Sequence, residues 1–214
     1  MSRRARFITF EGIDGCGKST QAKRLASYLK NKGIPVLLTF EPGGTGIGYN
    51  IRKILLDPKN KHISPLAELF LYMADRAQHI KEVIGPSLEK GIWVISDRFY
   101  DATLAYQGFG RGIDISFIDM LNQKACGKIR PDITFLMDCP VETAIIRISN
   151  RIANSNPDKG QLRFEQEDLR FHEMVRKGYL SIAARHKDRI VMVDATSSID
   201  EIERFIINKI EMLT

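Results

Sequence analysis

Nine consecutive residues carry the first chemical signal in this chain: Gly12-Ile13-Asp14-Gly15-Cys16-Gly17-Lys18-Ser19-Thr20. Their spacing fits G-x-x-x-x-G-K-[ST], a loop that cradles phosphate. Its glycines let the backbone wrap an anion with N–H groups, and the positive end of a following helix adds to the attraction. Lys18 is placed to reach the β- and γ-phosphates of a nucleotide, and the Ser19 hydroxyl to hold Mg2+. Arg6 to Glu11 before the loop reads as a strand. Gln21 to Leu29 after it has the apolar spacing of a helix. This context separates a phosphate site from a chance glycine-rich turn.

Further charged groups stand at informative places. Asp97 closes the apolar run Ile92-Trp93-Val94-Ile95-Ser96, as a Walker-B-type acid does when it helps hold Mg2+ opposite the loop serine. Its alternative role is a helix N-cap. Arg98 follows directly, with Arg52 and Arg76 on expected helices. Arginine presents a rigid fork of donors suited to phosphate and to planar acceptors. Arg147, Arg151 and Arg163 flank the stretch from Ile152 to Gly160, whose turn residues read as a mobile loop. Beside a phosphate loop, such a segment is expected to act as a short lid over about 151–164. It would close over the phosphates, exclude water and supply positive charge. An ordinary charged surface loop is the alternative.

Alternating strands and helices must position these groups. Strands are expected at 6–11, 34–40, 92–97, 132–138 and 190–194. Between them the pattern predicts helices near 47–56, from Ser64-Pro65 to about Lys90 with a bend or interruption at Gly85-Pro86, from about Thr103, and over 115–125. Further helices are expected from Pro140 to near Arg151, from about Phe164 to Lys187, and over 198–212. The 164–187 helix places Leu169, His172, Val175, Tyr179 and Ile182 near one face. Apolar β-branched strands alternating with helices predict an α/β fold of three layers, a five-stranded parallel sheet covered on both faces. Ligands then gather at the carboxyl ends of the strands, where the phosphate loop, Glu41, Asp97 and Asp194 fall.

Bulk properties narrow the field. The chain has 214 residues, 43% hydrophobic and 27% charged, as expected for one globular domain over 1–214. Its net charge of +6 is spread without a basic block, which suits small polyanionic substrates better than nucleic acid. Cys16, Cys126 and Cys139 are far apart and form neither a metal pair nor a disulfide framework, which predicts a reducing, cytoplasmic setting. No signal-peptide run and no membrane-span length of apolar sequence is seen, so no membrane partner is expected. An N-K-x-D guanine reader, a second Gly-Lys loop and a basic-aromatic array are all missing. Those gaps argue against a GTPase, a tandem ATPase and a nucleic-acid binder. His62, His79, His172 and His186 show no shared pattern and read as structural or surface residues.

In order and at suitable spacing, Phe10-Glu11-Gly12 with the rest of the loop, Glu41-Pro42-Gly43-Gly44-Thr45, Asp97-Arg98-Phe99, Ala105-Tyr106-Gln107-Gly108, Arg130-Pro131-Asp132 and Asp194-Ala195-Thr196 resemble the thymidylate kinases of bacterial type. The resemblance spans nearly the whole chain and implies the P-loop NTPase fold. It implies residues 12–20 and Arg147 as the ATP site, with Mg2+ held by Ser19 and Asp97. It implies that Asp14 contacts the 3′-hydroxyl of dTMP and that Arg52 and Arg98 grip its phosphate, with Glu41 in the same site. Tyr72 would stack on thymine, Arg76 bond the base edge, Thr103 and Gln107 complete the pocket, and Tyr106 crowd the sugar against a 2′-hydroxyl. Tyr72 and Arg76, at i and i+4, share a helix face. Without the resemblance, Tyr72 would read as a core aromatic.

Some relatives place an arginine where this chain has Gly15; others supply it from the lid. Gly15 therefore implies that Arg151 or Arg163 joins Lys18 and Arg98 in catalysis. Leu162 stands where the family often has Asp, and Phe40 where it often has Arg. The implied reaction is ATP + dTMP → ADP + dTDP, with a homodimer as the implied assembly. The acceptor phosphate has a second pKa of about 6 and is already largely ionised at neutral pH, so no general base is required. Two alternatives stay open on sequence: a kinase for another pyrimidine monophosphate such as dUMP or CMP, and a P-loop binding module without turnover.

Overall fold

The computed structural model describes residues 4–154 and 163–212. The expected lid loop thus falls largely outside the described residues, Leu162 included. Five strands form the sheet: β1 (Phe7–Glu11), β2 (Val36–Phe40), β3 (Trp93–Asp97), β4 (Ile133–Asp138) and β5 (Ile190–Asp194). All neighbours run parallel, in the order β2-β3-β1-β4-β5. The central strand β1 is buried along its whole length, as expected for a parallel strand with helices on both faces. Two polar residues inside the sheet satisfy each other: Thr9 and Thr134 hydroxyls lie 2.7 Å apart.

Helices α1 (Lys18–Asn31), α2 (Gly46–Leu56), α3 (Pro65–His79) and α4 (Gly85–Glu89) come first in sequence. Ser64 caps α3 by accepting from the Ala67 N–H, with Pro65 in the first turn. The long helix, expected to bend or be interrupted at Gly85-Pro86, passes into a π-type segment, Ile80–Ile84, before α4. One widened turn ahead of Pro86 absorbs its missing N–H and ring bulk.

Helix α5 (Tyr100–Thr103) starts three residues earlier than the pattern suggests. It passes into a second π-type segment, Leu104–Gly110. Two glycines set the close packing there. A Cβ on Gly108 would meet Ile115 at 2.4 Å, and one on Gly110 would meet the Phe171 ring at 2.7 Å.

The remaining helices are α6 (Ile115–Cys126), α7 (Val141–Asn154), α8 (Leu169–Arg185) and α9 (Ile199–Glu211). Helix α7 runs on to Asn154, so 152–154, expected in the loop, are helical. The expected single helix from Phe164 is a 3₁₀ turn, Phe164–Gln166, followed by α8. Asp168 caps α8, and Leu169, placed on the buried face by periodicity, is exposed because it opens the first turn. His172, Val175, Tyr179 and Ile182 do lie on the buried face, with Phe171 beside them.

Candidate active site

Strand register builds the site. Phe10 pairs with Asp97 across β1–β3, and Phe40 pairs with Asp97 across β2–β3. Three strands therefore end at one level, and their following segments open into a cleft of about 1140 Å³. Asp14 to Lys23, Glu41, Arg52, Tyr72, Arg76, Asp97, Arg98, Thr103, Tyr106, Gln107, Arg147 and Arg151 line it.

The glycine loop is fixed by tertiary contacts as much as by its own backbone. Gly12 has φ 134°, and a Cβ there would meet the Met137 carbonyl oxygen at 2.4 Å. Gly15 has φ 81°, and a Cβ there would meet the Ala144 carbonyl oxygen on α7 at the same distance. No side chain fits at 15 without moving α7. The Lys18 ammonium donates to the Ile13 carbonyl at 2.8 Å, arching over the loop. Ser19 Oγ donates to the Asp97 carboxylate. Asp97 is not a cap, since the Phe99 backbone begins α5.

Arg98 sits at the junction of the loop and the deep pocket. Its φ of 74° is unusual for a residue with a side chain. Its guanidinium donates to the Gly12 carbonyl (2.8 Å), the Tyr179 and Tyr106 hydroxyls (3.0 Å each) and Asp14 Oδ1 (2.7 Å). Tyr106 in turn donates to Asp14 Oδ2 at 2.8 Å. Burial alone would raise the Asp14 carboxyl. The charges of Arg98 and Lys18, with hydrogen bonds from Tyr106 and Arg98, instead hold it well below the usual carboxylate range. Asp14 is thus a fixed anion facing the cleft.

Glu11, immediately before Gly12, is buried. It accepts from the Phe99 N–H at 2.7 Å and from the Tyr179 hydroxyl at 2.8 Å. Burial, with Asp101 adding, pushes it up to about 8 against the pull of Arg98 and those two bonds.

The deep end of the cleft is polar and densely hydrogen-bonded, though the Asn122 amide nitrogen is buried without a partner among the described residues. Arg76 is buried and donates to Glu41 (2.9 Å), Thr103 (2.9 Å), Asn122 (2.8 Å) and the Phe99 carbonyl (3.1 Å). Glu41 also meets His79 Nδ1 at 3.0 Å, and His79 Nε2 lies 2.7 Å from Thr39. His79 is therefore structural. Gln107 donates its amide to Glu68 at 2.8 Å. A carboxylate only accepts, so the Gln107 amide nitrogen faces Glu68, and its carbonyl oxygen, with the second amide N–H, is left for other partners. Glu68 is buried and also meets Arg111 at 3.3 Å and Arg163 at 2.5 Å.

The arginines separate by position. Arg52 donates to the Pro42 carbonyl at 2.8 Å and lies over the Phe40 ring, 5.4 Å from its centroid. Phe40 thus provides a seat for Arg52. Arg147 bonds the Ala195 carbonyl at 2.9 Å. Arg151 pairs with Glu165 at the cleft wall. Arg163 does not line the cleft: it is buried, bonded to Glu68 and the Leu55 carbonyl. Of the two lid candidates, only Arg151 lines the cleft that the phosphate loop also lines; it is carried by α7, which packs against Gly15 at Ala144 and Ile148. Glu11, Tyr179, Glu68 and Asn122 had no assigned role in the sequence. Glu11 showed one signal, a charge ending an apolar strand beside the glycine loop.

The sheet order, the glycine loop between β1 and α1, and the Ser19–Asp97 contact define a P-loop nucleotide-binding protein whose cleft continues past the loop to a polar deep end. The Thymidylate kinase family model matches residues 10–206. A thymidylate kinase of Trichlorobacter lovleyi is 55% identical over 190 residues, covering 89% of each chain. One of Desulfosudis oleivorans is 48% identical and covers 92% of each. The crystal structure of thymidylate kinase from Ehrlichia chaffeensis superposes with a TM-score of 0.78 at 35% identity, covering 97% of this chain and 98% of that one. The chain belongs to the thymidylate kinase family.

Proposed function

We propose that this chain transfers the γ-phosphoryl group of ATP to dTMP, giving ADP and dTDP, as a single catalytic domain. The observation that carries this reading is the Asp14–Arg98 bond at 2.7 Å. It joins the ATP-phosphate loop to the acceptor pocket, so a nucleotide on one side and a monophosphate on the other share one rigid junction. The acceptor phosphate is its own nucleophile, and catalysis rests on positioning and charge neutralisation.

Lys18 and the loop N–H groups bind the donor phosphates, with Arg147 beside the nucleotide. Arg98 and Arg52 hold the acceptor phosphate, and Asp14 accepts from the sugar 3′-hydroxyl. Tyr106, bonded to Asp14 and Arg98, fills the space where a 2′-hydroxyl would stand. Tyr72 offers its ring to the base, with Arg76, Thr103 and Gln107 at the base edge and Glu41 fixing Arg76. The Gln107 carbonyl matches the N3–H of thymine or uracil and opposes cytosine, whose N3 is an acceptor. Arg151 supplies the positive charge that Gly15 leaves out.

The hydroxyl of Ser19 and the carboxylate of Asp97, already in contact in the cleft, are the hard oxygen donors that Mg2+ prefers. No cluster of three His, Cys, Asp or Glu occurs among the described residues. That suits an ion held by few protein groups and by nucleotide phosphates. When bound, the ion supplies charge neutralisation on the donor phosphates.

The free, buried cysteines support a reducing, cytoplasmic setting, and no described helix is long and apolar enough to cross a membrane. Exposed Ile47 and Ile54 on α2, with Leu66 and Phe70 on α3, support a homodimer. A coupled ADP-release assay across dTMP, dUMP, dCMP and CMP tests the function. Fastest turnover with dTMP is expected; ATP binding without turnover on any of them would overturn it.

A further inference from the structure

Tyr179 lies on α8, more than seventy residues beyond Arg98 in sequence, yet its hydroxyl is one of the four groups around that guanidinium. It does not line the cleft, and its side chain is buried. The phenol oxygen stands 3.0 Å from Arg98 Nη1 and 2.8 Å from Glu11 Oε2. The other oxygen of Glu11 takes the Phe99 N–H at 2.7 Å, the backbone donor next after Arg98. Ser96 closes the same turn from the other side by donating to the Arg98 carbonyl at 2.7 Å. A residue held at φ 74° needs such outside support, since its own backbone preference opposes it.

The depth at which Tyr179 reaches this point is set by its neighbour. A Cβ on Gly178 would meet the Phe109 ring at 2.7 Å, so a glycine there lets α8 press against the π-type segment 104–110. Tyr179 then packs edge-on against Tyr106, ring centroids 6.3 Å apart. One hydroxyl on α8 thus touches a group from β1 and a group that follows β3.

We propose that Tyr179 is a positioning residue for Arg98: clamped by Glu11, its hydroxyl holds the guanidinium between the phosphate loop and the acceptor pocket. Whichever of Glu11 and Tyr179 carries the shared proton, the phenol oxygen keeps a lone pair for Arg98. Removing the hydroxyl leaves the ring packing intact and takes away one of Arg98's four acceptors. This inference rests on the reading that Arg98 grips the acceptor phosphate.

The test is a double-mutant cycle of Tyr179→Phe and Arg98→Lys, read as kcat and as KM for each substrate, with melting temperature as the folding control. Tyr179→Phe is expected to lower kcat about tenfold, the size of one charge-assisted hydrogen bond, and to leave KM for ATP within about twofold. In the Arg98→Lys background the same change is expected to cost less than about twofold, because the aligned fork is already lost. Equal losses in both backgrounds would overturn the inference, as would wild-type kcat in Tyr179→Phe. If Arg98→Lys itself keeps full turnover, the reading of Arg98 falls and the inference with it. If Arg98→Lys is impaired and Tyr179→Phe is not, only the inference falls. Should Tyr179→Phe not fold, Glu11→Gln enters the same cycle in its place, with the same outcomes deciding.

Discussion

The Arg98 guanidinium donates to Asp14 Oδ1 at 2.7 Å, with both side chains only partly exposed. A residue after β3 is thereby bonded to a residue inside the glycine loop after β1. Arg98→Ala and Lys18→Ala are each expected to lower turnover by about 100-fold or more, the scale of losing one preorganised charge donor. Melting temperature and circular dichroism should stay near wild type. Near-normal turnover in either variant would remove the role assigned to it.

Arg151 and Arg163 should separate cleanly. Arg151 is largely exposed at the cleft wall, paired with Glu165; Arg151→Ala is expected to lower kcat by about 100-fold and leave melting unchanged. Arg163 is buried against Glu68, and its loss takes the shortest charged partner from a buried carboxylate that keeps only Gln107 and the longer Arg111 contacts. At about 3 kcal/mol or more for breaking such a pair, Arg163→Ala should lower the melting temperature by roughly 10 °C. A stable but inactive Arg163→Ala would reverse the two assignments.

Asp75 gives a pH test. Its Oδ1 takes the Gly43 N–H at 2.9 Å, while Oδ2 is buried without a described partner. Burial, then the charge of Glu41, pushes it up to about 6 from an ordinary 3.8, against Gly43, His79 and Arg76. The folded state therefore favours the protonated acid. That stabilisation is complete below about pH 4 and is lost as pH rises through about 6, with a slope near 1 kcal/mol per pH unit at most. Asp75→Asn keeps an acceptor for Gly43, so its melting temperature should vary less than wild type between pH 4 and 6.5. An unchanged pH dependence in the variant would exclude Asp75 as its source.

Gly15 tests whether an arginine can be placed in the loop itself. At φ 81°, with the Ala144 carbonyl 2.4 Å from where a Cβ would lie, even Gly15→Ala should destabilise the protein by about 1–3 kcal/mol. Gly15→Arg should not rescue Arg151→Ala. Rescue, with normal melting, would show that α7 yields more easily than its packing implies.

Much of the architecture could be read directly. Strand β1, the glycine loop and α1 announce themselves through local chemistry: an apolar run, glycines where positive φ is required, and helical spacing. Asp97 was legible as a strand-ending acid, and Tyr72 and Arg76 share a helix face through the i, i+4 rule. Boundaries failed where packing rather than pattern decides them. The π-type segment at 104–110 carries no local signature, while the one at 80–84 and the start of α8 are marked only by Pro86 and by the capping Asp168.

The order of strand, glycine loop and helix, the residue types able to bind phosphate and the alternation that demands a parallel sheet were determined by sequence alone. They depend on neighbours within a few positions. Partnership was decided by tertiary structure. Only the register of β1 with β3 brings Asp97 to Ser19. Only the seating of α8 brings Tyr179 to Arg98, and only the approach of α7 to Gly15 excludes a side chain there while presenting Arg151. Arg151 and Arg163 are alike as residues. Burial against Glu68 holds one and the face of α7 presents the other, because a charge's role follows from the groups within hydrogen-bonding reach, and those come from distant parts of the chain.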